Sequence, residues 1–346
     1  MIFRAGWFGC FLIVGGAAGA QGTAAAPKYG DDKSVVIPYT AKADFQHLDR
    51  PLHVRAQING GPVGEFTVDT GSVGVIVAAD EVPGIDPKAP EGSITYSSSG
   101  VSLKGVWTKA TVAFPDAHGG VATAVVPVLA VTSETCTGEG VNAAHCHALA
   151  HPHPHMMGVG FGRGQGSGHP EKNVFLNLKE MQAGEMRRGY VIAPEGITLG
   201  LTGQVVGTGF VWQKLVERPV SPDTAAFGAT LKDWNTAVGS FKVGAAQAGP
   251  GIVLMDTGLT NMMLAEPGGL KGDVPDGTPV TVELLGGQVE YTFNVGDANN
   301  AQTPRRVSWV VPTHGVYVNT GLRALAKYEY LFDSDGGWLG LRPLKP

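Results

Sequence analysis

The chain has 346 residues, long for one domain and comfortable for two of ordinary size. With 51 glycines, 23 prolines and only 16% charged residues, it holds few long runs of helix formers, which points to an all-β architecture. A net charge of −5 leaves no footprint for a nucleic-acid partner or for an anionic membrane surface.

At the N-terminus, Arg4 precedes an apolar stretch from Ala5 to Ala18, and Ala18-Gly19-Ala20 before Gln21 makes a small-residue cleavage site. Residues 1–20 therefore read as a secretory signal peptide, the apolar run being short for a membrane span; an uncleaved N-terminal anchor is the alternative. Once the signal is cleaved, no membrane association is expected, and the location implied is periplasmic or secreted. Cys10 would leave with the signal. Cys136 and Cys146 remain as an even pair in an exported protein and read as one disulfide closing a short loop, a contribution on the order of 2–4 kcal/mol. Residues 21–33 are mostly Ala, Gly and small polar residues, and a flexible leader is expected there.

A first strand is expected over 34–38. The alternating residues from Leu52 to Ile58 then meet Asn59-Gly60-Gly61, a hairpin signal that feeds into Phe66 to Val77, FTVDTGSVGVIV. An apolar run delivers Asp-Thr-Gly into a tight loop, and a second apolar run leaves it. The pattern returns at Ile252 to Leu264, IVLMDTGLTNMML. Gly71 and Gly258 let the main chain fold close and aim N–H groups at Asp69 and Asp256. Two such copies predict two lobes, 34–205 and 206–346, each giving one carboxylate to a shared site. Paired carboxylates share one proton, so one acts as base towards water and the other as acid towards the carbonyl that the water attacks.

Between the copies, residues 93–114 hold Tyr96 and, beside it, a Ser/Gly-rich stretch at Ser97 to Gly100 that can hinge. Five histidines, His145, His147, His151, His153 and His155, fall close together. His-x-His spacing on an extended segment puts imidazoles on one face and suits Zn²⁺ or Cu²⁺, whereas Pro152 and Pro154 favour a solvated loop of surface histidines. Residues 190–202 alternate around Pro-Glu-Gly and form a hairpin, and glycines at 203–209 mark the lobe boundary. In the second lobe, 234–243 reads as a strand pair leading to Asp256, and 278–283 with 288–295 as a hairpin around Gly286-Gly287.

As a set these segments resemble the pepsin-like (A1-type) aspartic proteases, in a bacterial exported form, and the resemblance spans nearly the whole mature chain. It implies a bilobal all-β fold of two β-barrels with few short helices, and a monomeric endopeptidase acting on extended polypeptide. Asp69 and Asp256 would be catalytic, with Ser72 orienting Asp69, Thr70 and Thr257 locking the two loops together, and Tyr96 covering substrate from a flap. Met156-Met157-Gly158 resembles the segment that threads behind the first Asp loop, Asn173 to Leu178 the short helix after it, and Gly321 to Leu341 the closing segment. No cofactor or metal is implied, since the nucleophile is water; His147, His151, His153 and His155 are the candidate ligands if a metal binds.

Four departures stand out. Leu259 replaces the hydroxyl residue that usually follows the second Asp-Thr-Gly, so the dyad is expected to titrate higher, with an activity optimum in weak acid or near neutrality. Ile76 replaces the aromatic that steadies the flap tyrosine. Val318-Asn319-Thr320-Gly321 puts polar residues where two apolar ones are usual, which implies a reorganised support for Asp256. The flap tip has one extra residue. The leader is also short for an autoinhibitory prosegment. Rival readings are a non-cleaving scaffold on the same fold, favoured by Leu259 and Ile76, and a His-rich periplasmic metal-binding protein.

Overall fold

A computed structural model describes residues 25–345 apart from 97, 139–145, 165, 228–230 and 312–314. The expected signal peptide, Cys10, Ser97 and His145 lie outside the described residues. The first half supplies β1 (Val35–Ile37), β2 (His53–Ile58), β3 (Val63–Asp69), β4 (Val73–Ala78), β5 (Glu91–Tyr96), β6 (Val101–Pro115), β7 (Val121–Cys136), β8 (His155–Val159), β9 (Gly189–Ala193) and β10 (Gly196–Leu199). From the second half come β11 (Val211–Lys214), β12 (Glu217–Arg218), β13 (Asp233–Trp234), β14 (Val238–Val243), β15 (Ala246–Leu254), β16 (Met262–Ala265), β17 (Gly272–Asp273) and β18 (Pro279–Leu284). The chain then closes with β19 (Val289–Asn294), β20 (Val307–Trp309), β21 (Tyr317–Asn319), β22 (Tyr328–Asp333) and β23 (Trp338–Pro343).

The fold is all-β and bilobal. The first lobe is a seven-stranded sheet in the order β2-β3-β8-β4-β7-β6-β5, and the second an eight-stranded sheet in the order β17-β20-β16-β21-β15-β14-β18-β19. Its hairpins fall within a residue or two of where alternation placed them, because alternate residues of β2, β14, β18 and β19 are buried. A third sheet, β1-β10-β9-β22-β23-β11, takes three strands from each half and joins them through antiparallel pairing of β9 with β22. Tyr190 on β9 ties it to the first lobe, its hydroxyl donating to the Val159 carbonyl at 2.7 Å, and Phe161 stacks on Phe332 at 4.2 Å between ring centres.

The two Asp strands sit in matching surroundings. β3 runs parallel to β8, and β15 runs parallel to β21. The strand that leaves each Asp loop, β4 or β16, then pairs antiparallel with that same partner and parallel with a third strand, β7 or β20. In this correspondence Thr67 faces Met156 and Leu254 faces Asn319, so Asn319, Thr320 and Gly321 occupy the places of Met156, Met157 and Gly158.

Two regions carry more structure than their sequence suggested. The leader from residue 25 to 33 has no regular secondary structure, yet the Tyr29 hydroxyl donates to Asp333 Oδ2 at 3.2 Å and its ring stacks on Trp212. The hairpin of β5 and β6 is backed by β7 along its whole length, with Val101 opposite Cys136. Cys136 is bonded to Cys146 with a Cα separation of 5.9 Å, inside the usual range for a disulfide. The expected helix at 173–178 is one 3₁₀ turn, Val174–Leu176, capped by Asn173.

Candidate active site

Both Asp-Thr-Gly loops are built as the sequence requires. Asp69 and Asp256 are 4% and 9% exposed. The Gly71 N–H donates to Asp69 Oδ1 at 2.7 Å, and the Gly258 N–H donates to Asp256 Oδ1 at 2.9 Å. Each glycine also faces the other lobe's carboxyl. A Cβ on Gly71 would fall 2.4 Å from Asp256 Oδ2, and one on Gly258 would fall 2.7 Å from Asp69 Cγ, so no larger residue fits between the two acids.

Thr70 and Thr257 hold the loops together by reciprocal bonds. The Thr70 N–H donates to Thr257 Oγ1 and the Thr257 N–H donates to Thr70 Oγ1, both at 3.0 Å. The hydroxyls in turn donate across the lobe boundary, Thr70 to the Met255 carbonyl and Thr257 to the Val68 carbonyl at 2.7 Å. All these groups are buried, where an unmade bond costs about 1–3 kcal/mol, so the carboxyls are brought together by a lattice with little slack.

The outer oxygens are served differently. Ser72 Oγ donates to Asp69 Oδ2 at 2.5 Å from within the same loop. Leu259 cannot do this for Asp256. Its place is taken by Asn319, whose Nδ2 donates to Asp256 Oδ2 at 2.7 Å. The Gly321 N–H donates to Asn319 Oδ1 at 3.0 Å, which fixes the amide with its donor end towards the carboxylate. The missing hydroxyl expected from Leu259 therefore leaves no missing contact, and the polar stretch at 318–321 is the replacement.

Burial and the neighbouring charge push the Asp69 carboxyl up to about 8, burial being the larger cause. The hydrogen bond that a protonated Asp69 donates to Asp256 adds to the rise, while Ser72 and the Gly71 N–H oppose it. The Asp69 carboxyl thus keeps its proton well above the ordinary carboxylate range, which is about 4.

Tyr96 hangs from the end of β5, and among the described residues its buried hydroxyl has no hydrogen-bond partner. Burial first, then the Asp69 charge, raise its pKa far above the ordinary tyrosine value. Its ring packs against the buried cluster of Ile76, Leu103, Leu129 and Val131, against which Trp107 and Met156 also pack. Trp107, on β6, lies over Gly92 of β5, where a Cβ would meet the indole at 2.2 Å. It was not singled out in the sequence, and it adds an aromatic to the apolar cluster that contains Ile76 and supports Tyr96.

Among the candidate metal ligands, His147, His151 and His153 are exposed and His155 begins β8. None belongs to the Asp site. Comparison of the chain with models of known protein families finds no match, and comparison with curated proteins finds none either.

Proposed function

We propose that the chain is an exported pepsin-like aspartic endopeptidase. The observation that carries this reading is the pairing of Asp69 and Asp256, each held by one backbone N–H and one side-chain donor. Asp69, whose carboxyl is pushed up to about 8, is the acid, and Asp256 is the base.

Water adds its oxygen to the scissile carbonyl carbon while Asp256 takes one of its protons and Asp69 gives its proton to the carbonyl oxygen. The product of this step is a neutral gem-diol. Asp256 then returns its proton to the amide nitrogen as the C–N bond breaks, and Asp69 recovers a proton from a gem-diol hydroxyl as the new carboxyl forms. Both carboxyls end in their starting states. The unpartnered Tyr96 hydroxyl offers a hydrogen bond to the covering face of a bound peptide, and the edge strand β5 offers main-chain groups to an extended segment.

The disulfide between Cys136 and Cys146 is compatible with an extracytoplasmic location, and among the described residues no helix is long and apolar enough to cross a membrane. Cleavage of an unfolded protein substrate between pH 3 and 8 tests the reading. Asp69→Asn and Asp256→Asn are each expected to lose about 10²–10⁴-fold in rate, the contribution of one general acid or base. A folded parent protein that cuts nothing over that range would turn the site into a peptide-binding cleft.

A further inference from the structure

The histidine-rich segment stays outside the Asp site and needs its own explanation. Antiparallel pairing of β4 with β8 puts Val77 opposite His155, so the turn that follows β4, at Ala79–Glu81, lies against the segment that enters β8. Asp80, Glu81 and His153 meet there, each offering a ligand atom within 4.8 Å of the others. Glu81 is the centre of the group. His155 Nε2 is 2.8 Å from Glu81 Oε2, and His153 Nδ1 is 3.9 Å from Glu81 Oε1.

We propose that Asp80, Glu81 and His153 bind one zinc ion, with His155 orienting Glu81. The donor set is one imidazole nitrogen and two carboxylates, which suits Zn²⁺ with a fourth position left to water. His155 holds Oε2, which leaves Oε1 free to face the metal; ligating carboxylates are commonly fixed in this way by an outer partner. The orienting ring is itself fixed, being 27% exposed and packed on Phe66 at 4.9 Å between ring centres. His153 sits between Pro152 and Pro154, whose rings restrict the backbone and so reduce the entropy lost when the imidazole is immobilised. Bonds of about 2.0–2.2 Å to zinc require the ligand atoms to draw closer than they stand, and exposed Asp80 and His153 have the side-chain freedom to do so.

The ion would act as a second staple. The disulfide fastens one end of the segment that runs from Cys146 to His155 at Cys136, beside the flap, and zinc would fasten the other end to the tip of β4. The site is separate from the dyad. Gly158, opposite Asp69, lies three residues along β8 from His155, a distance of about 10 Å at strand spacing.

Metal-stripped full chain is titrated with zinc chloride at pH 7 in a calorimeter, with thermal unfolding followed in parallel. One equivalent bound and a rise in the unfolding temperature are expected for the parent protein and for Asp69→Asn. Both effects should vanish in His153→Ala and in Glu81→Gln, and the exposed change Asp80→Asn, which carries little risk to folding, should weaken binding. His155→Gln should bind about 10–100-fold more weakly, the usual cost of removing an outer partner of a ligand. Zinc uptake unchanged in Asp80→Asn and His153→Ala, uptake lost in Asp69→Asn or in a His147→Ala, His151→Ala double variant, or no uptake by the folded parent would each overturn the assignment.

Discussion

The two Asp loops share a backbone and differ in one donor. In the first, the outer oxygen of the acid is served by Ser72, three residues away in the same turn. In the second, it is served by Asn319, 63 residues away on a neighbouring strand. The inner oxygen, the glycine N–H and the threonine bonds are the same in both. A site can therefore keep its electrostatics while the source of one hydrogen bond moves from the loop to the strand beside it. Leu259 and Asn319 are two halves of one exchange.

The shared half of the comparison predicts the largest loss of stability. Thr257→Val orphans the Thr70 N–H and the Val68 carbonyl, and Thr70→Val orphans the Thr257 N–H and the Met255 carbonyl. At about 1–3 kcal/mol for each buried unsatisfied group, the two variants should lose similar amounts in urea unfolding. A large difference between them would show that the two loops are not energetically equivalent.

The differing half predicts a loss in activity. Asn319→Met copies the first lobe's Met156 and removes a hydrogen bond to a charged group, worth about 1.5–3 kcal/mol, which is roughly a 10- to 100-fold fall in kcat/KM. Adding Leu259→Ser to that variant rebuilds the first lobe's arrangement in the second, and most of the activity should return. An unimproved double variant would mean that Asn319 acts in some way other than as this donor.

A separate prediction concerns the pH dependence of stability. Asp69 is pushed up to about 8 when folded, against about 3.9 for a free aspartate, so the folded chain holds this proton more tightly over that window. The associated stability is complete below about pH 4 and is lost as pH rises through about 8. Asp69→Asn should flatten the stability profile between those limits, and proteolytic activity of the parent should fall on an alkaline limb near the same value.

Most of the fold was legible because hairpins and Asp-Thr-Gly turns are local signals. Alternation, Asn-Gly-Gly and the two apolar runs around each Asp placed β2, β3, β4, β15 and β16 without reference to anything distant. What was not legible depended on which strands lie side by side. Leu259 and the polar stretch at 318–321 read as two separate departures, and only the parallel pairing of β15 with β21 shows Asn319 to be the missing donor. Asp80 and Glu81 likewise were not singled out in the sequence, and only the pairing of β4 with β8 sets them beside His153. The bracing of the flap by β7 has the same origin, since nothing in residues 93–114 indicates a third strand.

The six-stranded sheet has a consequence for how the chain is made. Its central joint pairs Gly189 to Ile192 with Tyr330 to Asp333, so strand β9 has no partner on that side until β22 has been synthesised. Until then the nascent first lobe presents an unpaired strand edge, the kind of surface that recruits strands from other chains. Synthesis of β22 is thus the step that closes this edge. A chain truncated before Tyr328 would keep Asp69, Asp256 and every donor around them, yet leave that edge open to self-association.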